Sequence, residues 1–184
     1  MPILSSEASI YPPNLLEMAT GEPRPWWVLY TLSRQEKQLC RLLVAQQQEF
    51  FCPTIAKRYR SPGGRYRVSH LPLFPNYVFL RGEEEKRYQS VATGCVSRCL
   101  PVSEPEKFLM DLQQIHQLIQ GGLPLTPEEK LQPGMLVRVK TGPMTGLQGS
   151  VLERRGERRL LVCVNFIQRG ASLELGDWEI ERVL

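Results

Sequence analysis

The chain has 184 residues, 42% hydrophobic and 23% charged, which is ordinary usage for a folded soluble protein of one medium or two small domains. No apolar run reaches bilayer length and no positive charge precedes an apolar core at the N-terminus, so neither a spanning helix nor a signal peptide is expected. The formal charge is only +4, but residues 26–104 alone have a net charge of +6, which suits an acidic partner such as nucleic acid as well as it suits a solvated basic face.

In chain order, residues 1–25 are rich in Pro, Ser and Glu, lack a sustained period and read as a flexible tail. Trp26–Thr31 reads as a short apolar strand. Ser33 followed by Glu36 has the spacing of a capping box, which predicts a helix from Arg34 to about Gln47. Residues 49–56 read as a strand. Pro62-Gly63-Gly64 predicts a turn between two β-prone arms, 57–60 and 65–68. Residues 77–80 read as a strand, 83–90 as a short helix, and Val96–Pro101 as another strand. Ser103 and Glu106 form a second capping box, ahead of Phe108, Leu112, Ile115 and Ile119 at helical spacing. Gly121-Gly122 ends that helix, and residues 121–132 read as a linker. Beyond it, five short strands punctuated by Gly142, Gly146, Gly149 and Gly156 predict a small β-barrel over residues 133–184. The first segment, residues 26–120, mixes strands and helices, so the fold class is α+β.

The residues that carry chemistry in enzymes are sparse. There are two histidines, His70 and His116, and neither has a partner set in sequence. Cys95 and Cys99 stand four apart with no second ligand pair, which reads as small buried thiols rather than a zinc site. The five cysteines are scattered and odd in number, as reduced thiols of a cytoplasmic protein are. No phosphate-cradling loop or nucleophile elbow is present. We therefore expect a binding protein, with no catalytic residues, no cofactor and no metal.

Two clusters point to binding. Lys57, Arg58, Arg60, Arg65 and Arg67 flank the turn at Gly63 with Tyr59 and Tyr66 interleaved and no acid among them. Such a hairpin can neutralise phosphates and stack on bases. Arg34, Lys37 and Arg41 are spaced to share a helix face beside it. The aromatic group Trp26, Trp27, Tyr30, Phe74, Tyr77 and Phe79 can line an apolar pocket for a partner helix or form plain core; strand alternation divides them between the two.

These residues resemble the NusG family of transcription elongation factors. The likeness covers nearly all of residues 26–184. Trp26-Trp27-Val28-Leu29-Tyr30 precedes Ser33 and Glu36; Phe74-Pro75-Asn76-Tyr77 is similar to the family's hallmark segment; Pro133-Gly134-Met135-Leu136-Val137-Arg138-Val139, Gly142-Pro143 and Leu147-Gln148-Gly149 are similar to a KOW module. The resemblance implies an N-terminal NGN domain that binds the clamp helices of RNA polymerase, a linker, and a C-terminal KOW barrel that recruits a further factor such as Rho or a small-subunit ribosomal protein. It implies polymerase contacts at Trp27, Tyr30, Phe74, Tyr77 and Phe79, DNA of the elongation complex near the basic hairpin, and partner contacts at Phe166, Ile167 and Arg169. It implies a monomer with no membrane contact. Asn76, and Val164-Asn165-Phe166-Ile167-Gln168-Arg169 near the barrel tip, are closer to the specialised RfaH-type branch than to the general factor. Members of that branch can store the KOW segment as a helical hairpin. Here the β-branched and aromatic residues of 160–167, and glycines where helices would run, favour a constitutive barrel. The alternative reading is a KOW-containing ribosomal or RNA-binding protein.

Overall fold

The structure, a computed structural model, describes residues 7–131 and 134–183. Residues 1–6 of the expected tail, Gln132 of the expected linker, Pro133 of the barrel motif and Leu184 lie outside the described residues. The chain divides between Pro105 and Glu106 into two compact units.

The first unit runs β1 (Ile10–Tyr11), α1 (Leu15–Gly21), β2 (Trp26–Thr31), α2 (Glu36–Ala45), β3 (Glu49–Phe51), β4 (Thr54–Arg60), β5 (Tyr66–Pro72), β6 (Tyr77–Arg81), α3 (Glu84–Val91) and β7 (Val96–Pro101). Five strands form an antiparallel sheet in the order β1-β3-β6-β2-β7, and β4 and β5 form a separate two-stranded hairpin. Leu39 and Leu43 of α2 pack with Leu29, Val78, Leu80 and Phe50 of the sheet in one buried cluster.

Three expectations are corrected here. The segment read as a tail is built into the sheet: Ile10 and Tyr11 pair with Phe51 and Phe50, and Leu15, Leu16 and Ala19 of α1 are buried. A seven-residue helix has little stability of its own, so its order comes from tertiary packing and leaves no local period to read. The Ser33–Glu36 capping box does not form. Arg34 adopts φ 62°, the helix starts at Glu36, and its N-cap Gln35 makes no side-chain capping bond. The strand over residues 49–56 is two strands, interrupted at Cys52-Pro53, where proline has no backbone donor for a ladder. Cys52 N–H instead donates to the Ser9 carbonyl at 2.6 Å.

A buried ion pair fastens the N-terminal segment further. Arg81 of β6 is fully buried, bonded to the Glu49 carboxylate and to the Glu22 carbonyl, while Arg24 also reaches Glu49 at 3.3 Å.

The second unit contains α4 (Pro105–Gln120), β8 (Thr126–Glu128), β9 (Met135–Val139), β10 (Gln148–Arg154), β11 (Glu157–Val164), a 3-10 turn (Asn165–Ile167), β12 (Arg169–Glu174) and β13 (Ile180–Arg182). Its strands form one antiparallel sheet in the order β13-β9-β10-β11-β12-β8. A Cβ at Gly149 would collide with the Leu161 carbonyl, and one at Gly170 with the Val162 carbonyl. These two glycines let β10 and β12 approach β11 closely. The KOW segment is therefore made of strands rather than a helical hairpin.

Two boundaries differ from the reading of the sequence. The segment expected to be a plain linker contributes β8, held by Ser172 Oγ donating to Glu128 at 2.7 Å and by the Arg154–Glu128 ion pair at 3.1 Å. The helix expected to close the first domain groups with the second unit, and its polar residues bond there. Gln148 N–H donates to Gln114 at 2.8 Å, and Asn165 N–H and Nδ2 donate to Asp111 at 2.9 and 3.1 Å. These partners lie more than thirty residues downstream, out of reach of any local pattern.

Candidate functional site

The aromatic group separates by strand alternation. Tyr30 of β2 pairs across the sheet with Tyr77 of β6 on one side and Arg98 of β7 on the other, so the three share a face. Tyr30 and Tyr77 are half-buried and meet edge to face at 5.2 Å, and the Arg98 guanidinium lies 5.6 Å from the Tyr30 ring. Val28 and Leu100 pair on the same face, with Leu100 exposed. Trp27 does not join this group. It points to the opposite face, packs on the α2 cluster, donates its indole N–H to the Gly82 carbonyl at 2.9 Å and faces Arg87. Phe74 and Phe79 are buried and pack together at 6.4 Å; they underlie the segment rather than offer surface. Arg98 escapes sequence reading because only the β2–β7 register places it beside Tyr30.

The turn before Tyr77 is held by a contact the sequence assigned elsewhere. Asn76 adopts φ 68°, a left-handed conformation that Gly and Asn accept more readily than other residues. Its N–H donates to the buried Glu36 carboxylate at 2.7 Å. Glu36, singled out as a capping residue, thus fastens this turn to the start of α2.

The basic hairpin forms as expected. Lys57, Arg58, Arg60, Arg65 and Arg67 are all exposed, with Tyr59 and Tyr66 exposed among them. The register puts Tyr59 opposite Arg67 and Tyr66 opposite Arg60, so each face of the ribbon carries one tyrosine with cations around it. Arg58 lies over the Tyr66 ring at 4.4 Å. The expected helical stripe of Arg34, Lys37 and Arg41 does not assemble: Arg34 precedes the helix, and Arg41 is engaged by Glu7 and Gln38.

In the second unit, Phe166 and Ile167 lie in the 3-10 turn, and Arg169 opens β12. Phe166 is 37% exposed and meets Phe108 of α4 edge to face at 5.9 Å. Arg169 reaches Glu129 at 3.8 Å. Burial raises the Asp111 carboxyl above its usual range, against the opposing hydrogen bonds from Asn165. Burial, with Asp111 nearby, pushes the Cys163 thiol up to about 11. Among the described residues no group of three or more His, Cys, Asp or Glu side chains is placed to hold a metal ion, and no helix is long and apolar enough to cross a membrane.

A mixed helix-and-sheet unit with a half-buried tyrosine pair and an exposed basic hairpin, followed by a sheet-rich unit, fits a two-part protein of the NGN and KOW kind. The family model described as transcription termination factor nusG matches residues 24–122. The chain is similar to the transcription termination/antitermination protein NusG of Pseudomonas aeruginosa, at 25% identity over 178 residues covering 86% of this chain and 98% of that one. It is 29% identical over 131 residues to the protein of the same name from Yersinia pestis, covering 65% and 70%. The Buchnera aphidicola protein of that name is 23% identical over 184 residues, covering 90% and 99%. The chain belongs to the NusG family and is a transcription termination/antitermination factor of that family.

Proposed function

We propose that the first unit binds RNA polymerase by receiving its clamp helices on the face of Tyr30, Tyr77 and Arg98, while the β4–β5 hairpin lies against DNA of the elongation complex. The observation that carries this reading is the half-exposed Tyr30–Tyr77 pair standing over the buried Phe74 and Phe79. Rigid aromatic anchors on a preformed surface are what a helix-in-groove interface uses. Arg98 adds a cation at the rim, suited to an acidic side chain of the partner. The second unit recruits a further factor, Rho or a small-subunit ribosomal protein, through Phe166, Ile167 and Arg169. Asn76 and the sequence of the 3-10 turn favour a specialised RfaH-like paralogue, acting as a monomer in the cytoplasm by binding rather than catalysis.

The test is affinity for core polymerase of the double variant Tyr30→Ala with Tyr77→Ala. Both side chains are half-buried, so the unit keeps its fold while binding weakens by about 2 kcal/mol or more. Unchanged affinity rejects the assignment. Transcription in vitro on pausing and terminating templates then separates antipausing from Rho exclusion.

A further inference from the structure

Two of the five cysteines have a setting that the transcriptional role does not use. Cys40 lies on α2, one turn beyond Lys37, and Cys52 lies in the link between β3 and β4. The return of the chain from helix to sheet brings them into the same buried cluster, with Leu39, Leu43, Phe50 and Val78 around them. The Cys40 thiol is held protonated, first by a hydrogen bond to Cys52 and then by burial.

Core thiols are ordinarily sealed and inert. These two are reached by a cavity of about 250 Å³ that both of them line, together with Glu7, Lys37, Thr54 and His70. Cys95, Cys99 and Cys163 do not line it. Lys37 and Glu7 place opposite charges at its wall.

We propose that Cys40 and Cys52 are a reversible redox pair, which closes to a disulfide when the sulfur of a small-molecule disulfide reaches them through the mouth of this cavity. The exchange balances in two steps. The Cys52 sulfur attacks the small disulfide, forming a mixed disulfide and releasing one small thiol, and the Cys40 thiol, held protonated until then, is the resolving group. The second protein sulfur then displaces the second small thiol. Two electrons pass from the protein sulfurs to the reagent, and the two thiol protons leave on the released thiols.

Closure has a local consequence. In the reduced protein the Cys52 thiol donates to the Tyr77 carbonyl at 3.9 Å, and Thr54, two residues on, starts the basic hairpin. The disulfide removes that donor and ties α2 to the root of the hairpin. The pairing itself does not depend on the polymerase assignment.

The experiment is incubation of the reduced full-length protein with oxidised glutathione, followed by alkylation, intact mass and non-reducing peptide mapping. The expected result is a native protein that loses two hydrogens and two alkylatable thiols, yields a peptide linking Cys40 to Cys52, and recovers both thiols with dithiothreitol. A variant combining Cys95→Ser, Cys99→Ser and Cys163→Ser still closes, whereas Cys52→Ser does not. Mapping the wild-type protein alone suffices should a variant fold poorly. The proposal is overturned if Cys40 and Cys52 react only after denaturation. It is equally overturned if the native protein stops at a mixed disulfide, or if the bridge maps to another cysteine.

Discussion

Asn76 and Asp111 each hold a turn to a helix, and each makes a measurable demand on its residue type. At φ 68°, a side chain other than Asn or Gly strains the backbone before Tyr77. Asn76→Ala should lower stability by about 1 kcal/mol, while Asn76→Gly stays near wild type, as read from urea denaturation. Equal loss from both would mean that the asparagine side chain, not the backbone conformation, is what matters. Asp111 concerns charge. Its folded pKa lies above the ordinary 3.8, with burial as the first cause, so the folded protein binds that proton more tightly than the unfolded chain. The stability it contributes is full below that ordinary value and is lost as pH rises through the raised one. Asp111→Asn keeps an oxygen to accept from Asn165 N–H and removes the buried charge. At pH 7 the variant should be as stable as wild type or more so, with the difference shrinking as the solution is acidified through that range. A clear loss at neutral pH would show that the ionised carboxylate stabilises the fold through Asn165.

Helix α1 shows how far an element can depend on its surroundings. Leu15 is wholly buried and Leu16 nearly so, although no local period announces the helix. Leu15→Ala should therefore cost about 2–5 kcal/mol in equilibrium unfolding, the range of a buried leucine truncation. An unpacked tail would tolerate the same change within about 0.5 kcal/mol. The hairpin is the opposite case. Its turn was legible because Gly64 takes φ 78° and both arms are β-prone, and no core packing is needed to specify it. Helix α4 lies between these cases. Its apolar spacing was plain, but its polar partners Gln148 and Asn165 come from distant strands. The helix groups with the second unit, where Phe108 also meets Phe166, although its place in the chain suggested the first.

At the scale of the molecule, basic charge is concentrated on an exposed ribbon rather than spread over a face. Replacing Lys57, Arg58, Arg60, Arg65 and Arg67 with Ser should leave thermal stability nearly unchanged, since all five are exposed. Affinity for single-stranded DNA should fall. The slope of log affinity against log salt should flatten by about 0.7 for each phosphate no longer neutralised. A slope equal to that of wild type would mean that the ribbon touches protein rather than nucleic acid. Arg41 makes a useful contrast, because its pairing with Glu7 leaves it less to offer a phosphate than its sequence spacing suggested.

The mixed class of the first unit, the strand-rich second unit, the exposed basic turn and most elements from β2 onward were determined locally, by alternation, glycine and proline placement and charge, whereas β1, α1, the break between β3 and β4, and β8 were not. Those signals act within a few residues, which is why a reader of the sequence alone can follow them. The division of the aromatics was decided by tertiary structure: Trp27 turned to the α2 cluster, Phe74 and Phe79 buried, and Tyr30 with Tyr77 left at the surface beside Arg98. The sheet register and the strand order β1-β3-β6-β2-β7 set that division, and both are non-local. The same reason accounts for Glu36, whose carboxylate could serve its own helix or a turn forty residues away, and which folding committed to Asn76.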